Sequence, residues 1–143
     1  MAITPRKMIA MDEEDLQILS AHCQDGVIKV SDIHYFSAEK RLIVEMNRFL
    51  WENGKKQNIR VRSVLHFEKV SKLARQAIDP AKKNDVLSLL AIVFSEKDAP
   101  AGHIDLLFSG NATLRLEVEC VEAQLTDMKA AWEASSKPRH PNT

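Results

Sequence analysis

Glycine is scarce in this chain, with four residues in 143 and none adjacent to another. Loops that cradle phosphates need clustered glycines, and neither GxGxxG nor GxxxxGK[ST] occurs. Cysteine is nearly absent. Cys23 and Cys120 stand far apart with no CxxC, so zinc-ribbon and thioredoxin-type chemistry lack their ligands. There is no HExxH and no serine at a nucleophile elbow. Long apolar runs are missing too. The stretch LLAIVF (Leu89 to Phe94) is far short of the roughly 20 residues that cross a bilayer as a helix. The opening MAITPRKMIAM has no apolar stretch of the secretion-signal kind. These absences predict a cytoplasmic chain with two free thiols, away from membranes, with no metal or cofactor called for and a lowered expectation of catalysis.

Net charge is zero, yet the charges are sorted along the chain. Between Lys40 and Lys83 twelve bases face four acids, whereas residues 1–39 and 84–143 are both acidic. A basic middle between acidic ends suggests either an anionic partner or segments that lie side by side and neutralise one another. The bases are spread out rather than clustered, which favours the second.

Hydrophobic residues make up 45% of the chain, enough for one core. The prediction is a single globular domain over residues 1–134 and a disordered polar tail over 135–143. KMIAM (Lys7 to Met11) suits a short opening strand. Asp12 is a good N-cap, and Leu16, Leu19 and Cys23 recur at helical spacing, predicting a helix from Asp12 to Gln24 stopped at Gly26. From Val27 the period becomes two. VIKVSDIHYF reads as one strand. RLIVEMNRFLWE carries Leu42, Val44 and Met46 on one face, with a bulge or sharp bend expected near Asn47 and Arg48; Phe49 and Trp51 suit core packing, with Trp51 alternatively a surface interface anchor. NGKKQN is a loop with an Asn-Gly turn, and IRVRSVLHF alternates again. EKVSKLARQAI and VLSLLAIVF add two strands.

GHIDLLF and LRLEV form a closing hairpin. A three-residue loop, Gly110 to Ala112, pairs Phe108 with Leu114, Leu106 with Leu116 and Ile104 with Val118, keeping both apolar rows on one face. Val121, Leu125, Met128 and Trp132 then step by four, three and four, predicting a C-terminal amphipathic helix. The fold class is α+β: a bent antiparallel sheet or split barrel of about seven strands with an N-terminal and a C-terminal helix, pleckstrin-homology-like by element order alone.

Two groups of residues are candidates for chemistry. Lys55 and Lys56 in a loop, with Arg60 and Arg62 on one strand face, suit an acidic peptide or a phosphate. Without interleaved aromatics they do not suggest nucleic acid. The hairpin register sets Asp105 opposite Glu117 and His103 opposite Glu119 on the outer face, with Cys120 inward. Like charges directly opposite are destabilising. The acids therefore either hold a cation or proton, or are neutralised by Arg115 and a neighbouring basic strand. His22 and Cys23 point about 100° apart on their helix and do not chelate together.

The blocks DEEDLQILSAHCQDGVIKVSDI, NRFLWE, VLSLLAIVFSEKDAPAGHIDLLFSG and LRLEVECVEAQLTDM resemble an uncharacterised alphaproteobacterial family, the domain-of-unknown-function family twenty-nine forty-eight, over nearly the whole chain. The resemblance implies a small cytoplasmic bacterial protein and transfers no catalytic residue. The leading expectation is a non-catalytic binding or adaptor domain meeting an acidic or phosphate-bearing partner at Lys55 to Arg62. The alternatives are a small-molecule enzyme or sensor built on His103, Asp105, Glu117 and Glu119, and a homo-oligomeric building block.

Overall fold

A computed structural model describes residues 6–128. Among these lie one α-helix and ten strands, all paired antiparallel. The strands are β1 (Lys7–Ala10), β2 (Val27–Lys29), β3 (Ile33–Phe36), β4 (Arg41–Glu52), β5 (Lys55–Phe67), β6 (Val70–Gln76), β7 (Val86–Glu96), β8 (Gly102–Phe108), β9 (Thr113–Val118) and β10 (Ala123–Asp127). Their order in the sheet is β1-β10-β5-β4-β2-β7-β8-β9-β6, with β3 beside β4. Only Glu68 and Lys69 separate β5 from β6, although five strands stand between them in that order. The sheet therefore bends round on itself. The backbone bonds of Glu68 to Glu122, Glu119 to Lys69 and Val70 to Lys40 pin the bend.

Helix α1 (Glu13–Cys23) begins where the sequence predicts. The Asp12 side chain accepts from the Asp15 backbone N–H at 2.8 Å, and Glu13, Glu14 and Asp15 favour the positive end of the helix dipole. Leu16, Leu19 and Cys23 are buried against β1, β4 and β7. Ser20 Oγ accepts the Ile92 N–H at 2.8 Å, near the register shift between Leu89 and Ala91 in β7. The left-handed stop is Asp25 (φ 68°), not Gly26. A Cβ on Gly26 would meet the Cys23 carbonyl oxygen at 2.9 Å, so that glycine serves close approach.

Four expectations about the elements change. VIKVSDIHYF is two strands, because a 3-10 turn at Val30–Asp32 lets β2 pair with β7 as well as β4 while β3 stays on β4. The irregularity in β4 falls between Phe49 and Trp51, beyond Asn47 and Arg48. Asn53 and Gly54, at φ 52° and 74°, close a two-residue hairpin, so Lys55 and Lys56 are on β5 rather than in a loop. Residues 123–127 of the expected C-terminal helix form β10, inserted between β1 and β5. That segment's burial alternates from Val121 to Asp127, and pairing on both edges satisfies its backbone groups. Residues 129–134 of that helix, including Trp132, and the tail at 135–143 lie outside the described residues.

The closing hairpin keeps its predicted faces but not its register. Its loop is Ser109–Asn111, with Gly110 and Asn111 at φ 76° and 61°. Ala112 is buried, and its carbonyl accepts from the Phe108 N–H. The pairs are Leu106 with Leu114, Ile104 with Leu116 and Gly102 with Val118. A shift of two residues preserves the apolar rows, so periodicity alone does not detect it.

Candidate functional site

Three inward-facing rows each carry one polar residue. In β4 the row Leu42, Val44, Met46 continues to Arg48. In β5 Ser63 interrupts Val61, Leu65 and Phe67. In β10 Asp127 follows Ala123 and Leu125. All are buried. Register brings them together, since Ser63 pairs with both Met46 and Asp127. Arg48 Nε and Nη2 donate to Asp127 Oδ1 and Oδ2 at 2.9 and 2.8 Å, a bidentate fork. Ser63 Oγ donates to Oδ1 at 2.7 Å, and the Arg6 backbone N–H to Oδ2 at 2.9 Å. Arg48 Nη1 also reaches the Phe49 carbonyl at 3.3 Å. The Arg48 side chain is 0% exposed and that of Asp127 1%. Burial by itself would raise the Asp127 pKa. The bonds from Arg48, Ser63 and Arg6 outweigh it and hold the carboxyl below its usual value of 3.8.

Beside this buried pair lies a cleft of about 550 Å³ between the C-terminal half of α1 and the tip of the β4–β5 hairpin. Arg6, Ala21, His22, Trp51 and Asn53 line it. His22 Nδ1 and Trp51 Nε1 are buried without a hydrogen-bond partner among the described residues. Trp51, expected in the core, is half-buried here, because the inward place in the row belongs to Arg48. Burial lowers the His22 pKa, with repulsion from Arg6 and Arg48 adding to it against the pull of Asp127. Cys23, next along the helix, is fully buried, and its pKa is pushed up to about 12, so it stays a thiol and not a nucleophile.

These shifts predict how stability follows pH. Unfolded, His22 takes a proton near its ordinary value of 6.5 that the folded chain resists. Stability should then fall as pH drops below 6.5 towards the folded value. Asp127 has the usual carboxylate sign. Its contribution is present above 3.8 and lost as pH falls through the lower folded value. Urea midpoints across this range should show two declines, the first absent in His22→Gln. A profile flat down to about pH 4 would contradict the His22 assignment.

The predicted basic residues divide. Arg62 is spent inside the fold. Its Nη2 lies 3.0 Å from Asp32 Oδ2 and 3.2 Å from Glu45 Oε1, and its Nη1 donates to Asn47. Asp32, His34 and Glu45 bring three ligand-type atoms within 4.8 Å of one another, but the guanidinium bonds both carboxylates, which makes an ion-pair network. Lys56 pairs with Asp25 at 3.2 Å and sits 4.6 Å from the Phe49 ring centroid, with Arg60 at 5.0 Å from the same ring. Arg60 has no carboxylate partner among the described side chains.

A family model described as "Protein of unknown function (DUF2948)" matches residues 6–140. The chain belongs to the DUF2948 family. No curated protein and no solved structure matches it. In this DUF2948 chain the outer-face acids are not a bare cluster. Asp105 lies opposite Arg115, which grips it at 2.8 and 2.9 Å, and His103, not Asp105, is opposite Glu117. Lys72 of β6 stands 4.0 Å from Glu117, and Lys40 donates to Glu119 at 2.6 Å, holding that carboxyl below its usual value. Cys120, expected inward, is half-buried in the bend after β9.

The sorted charges of the DUF2948 chain now have a physical meaning. Lys40, Arg48, Lys56, Arg62 and Lys72 from the basic middle pair with Glu119, Asp127, Asp25, Asp32 and Glu117 from the acidic ends. Side-by-side neutralisation is what the bend accomplishes. Sequence reasoning placed Arg48 at a bulge and gave Ser63 and Asp127 no role, although the inward rows point to all three.

Proposed function

We propose that this protein is a non-catalytic, cytoplasmic binding domain that recognises a carboxylate-rich segment of a partner protein with the tip of its β4–β5 hairpin. Lys55, Lys56 and Arg60 form the binding surface. Arg62 supports it from within and is not part of the contact. The observation that carries this reading is the shared ring of Phe49, which holds two cations at 4.6 and 5.0 Å while Arg60 has no carboxylate partner among the described residues. Like charges gathered on one aromatic platform keep a local positive potential on a chain of zero net charge.

The test is fluorescence anisotropy with a labelled glutamate-rich peptide. Binding should weaken about tenfold or more as salt rises from about 0.05 to 0.5 M, because the screening length shrinks. The Lys55→Glu/Arg60→Glu double variant should lose binding while unfolding at the same urea concentration. Binding that survives both changes would overturn the reading.

A further inference from the structure

We propose that the cleft between α1 and the β4–β5 hairpin is a binding site for a small organic carboxylate, held by Arg6, Trp51 and His22. Its volume of about 550 Å³ falls within the range of roughly 300–1,000 Å³ typical of small-molecule pockets. Buried polar groups are nearly always hydrogen-bonded. Here two ring nitrogens, Trp51 Nε1 and His22 Nδ1, are buried without a partner among the described residues, in residues that line one cleft. The indole N–H only donates, so it calls for an acceptor. His22, with its lowered pKa, meets a ligand as neutral imidazole and serves as donor or acceptor.

The charge of the ligand follows from the neighbours. Asp127 is already gripped by the Arg48 fork, so Arg6 is not needed to neutralise it. Arg6 instead holds Asp127 through its backbone, donating its N–H to Oδ2 and accepting from the Asp127 N–H, both at 2.9 Å. That fixes the point from which its side chain reaches the cleft. One guanidinium beside two neutral nitrogens matches a planar monoanion, which arginine binds with two parallel bonds. A phosphate dianion would bring a second negative charge near Asp127 with no second cation among the described lining residues. The Trp51 ring and the Ala21 methyl give the rest of the ligand an apolar wall. None of this uses Lys55 or Arg60, so the site is separate from the hairpin surface.

The chain has two tryptophans, and Trp132→Phe leaves Trp51 as the one indole. In that background the Trp51 N–H resonance is followed by NMR while benzoate is added. The expected result is a saturable shift, at least about tenfold weaker for benzamide and for inorganic phosphate. Arg6→Gln should weaken benzoate about tenfold or more. Ala21→Phe, at an exposed helix position, should block the cleft without disturbing the core. Lys55→Glu/Arg60→Glu should leave benzoate binding unchanged, which separates this site from the peptide surface. No saturable shift, equal shifts with benzamide or phosphate, or indifference to Arg6→Gln would each overturn the proposal.

Discussion

Asp127→Ala is expected to lower the unfolding free energy by about 3–5 kcal/mol in urea titrations. The substitution leaves the Arg48 guanidinium fully buried, with the Ser63 hydroxyl at 3.2 Å and the Phe49 carbonyl at 3.3 Å in place of a carboxylate. A buried charge deprived of its partner keeps its desolvation cost and loses the compensating attraction. Domains of this size are stable by only about 5–15 kcal/mol, so a large share of the total is at stake. Arg48→Met should be costly for the mirror reason, a carboxylate left buried with Ser63 and one backbone N–H. The double variant Arg48→Met/Asp127→Leu should be much less damaging than the sum of the single changes, because well-packed apolar residues replace a buried pair at little cost. Single variants that each cost less than about 1 kcal/mol would show that the pair is hydrated in solution.

Gly102→Ala is expected to cost about 3 kcal/mol, towards the upper end of overpacking effects. A Cβ there would overlap the Ser95 carbonyl oxygen and come within 2.7 Å of Phe94 Cε1. Neither neighbour yields easily. Gly102 is paired with Glu96 on one side and Val118 on the other, so its backbone is held from both edges. Gly54→Ala isolates the other cost, since a Cβ there meets nothing within 4 Å and only the left-handed φ of 74° opposes it. Equal urea midpoints for Gly102→Ala and wild type would mean that the β7–β8 hairpin is looser than its register implies.

Much of this sheet is legible in the sequence, and two of the failures, in β4 and β10, share one cause. The alternation of β4, β5, β8 and β9 predicts which residues face inward, and the helix from Asp12 is found from its cap and spacing. What misled was polar residues on inward rows. Arg48 continues the row of Met46, yet a charged residue there reads as a break in parity, so a bulge was expected two residues too early. Asp127 does the same to β10. Val121, Ala123, Leu125 and Asp127 alternate perfectly as an inward row, but a buried aspartate disguises the strand. The helical spacing of Val121, Leu125 and Met128 then looked stronger. One buried ion pair thus hid β10 and moved the irregularity expected in β4.

The hairpin error was detectable without coordinates. The predicted register set Asp105 against Glu117, an unfavourable opposition. Sliding it by two residues keeps every apolar contact on its face and puts Arg115 opposite Asp105, the observed pairing. An apparent acidic site was therefore a symptom of wrong register. The cleft had no comparable signal, because it joins residues from the N-terminal segment, α1 and the hairpin tip, and only the bent sheet brings these together.

The place of β10 also sets an order of events during synthesis. It is the last described strand to leave the ribosome, yet it lies between two strands made earlier, and β1 has no other partner among the described strands. Until Asp127 emerges, the Arg48 guanidinium has no carboxylate to take it from water. A nascent chain halted before residue 123 therefore carries an unclosed core and a bare β5 edge, the kind of surface that pairs with other chains.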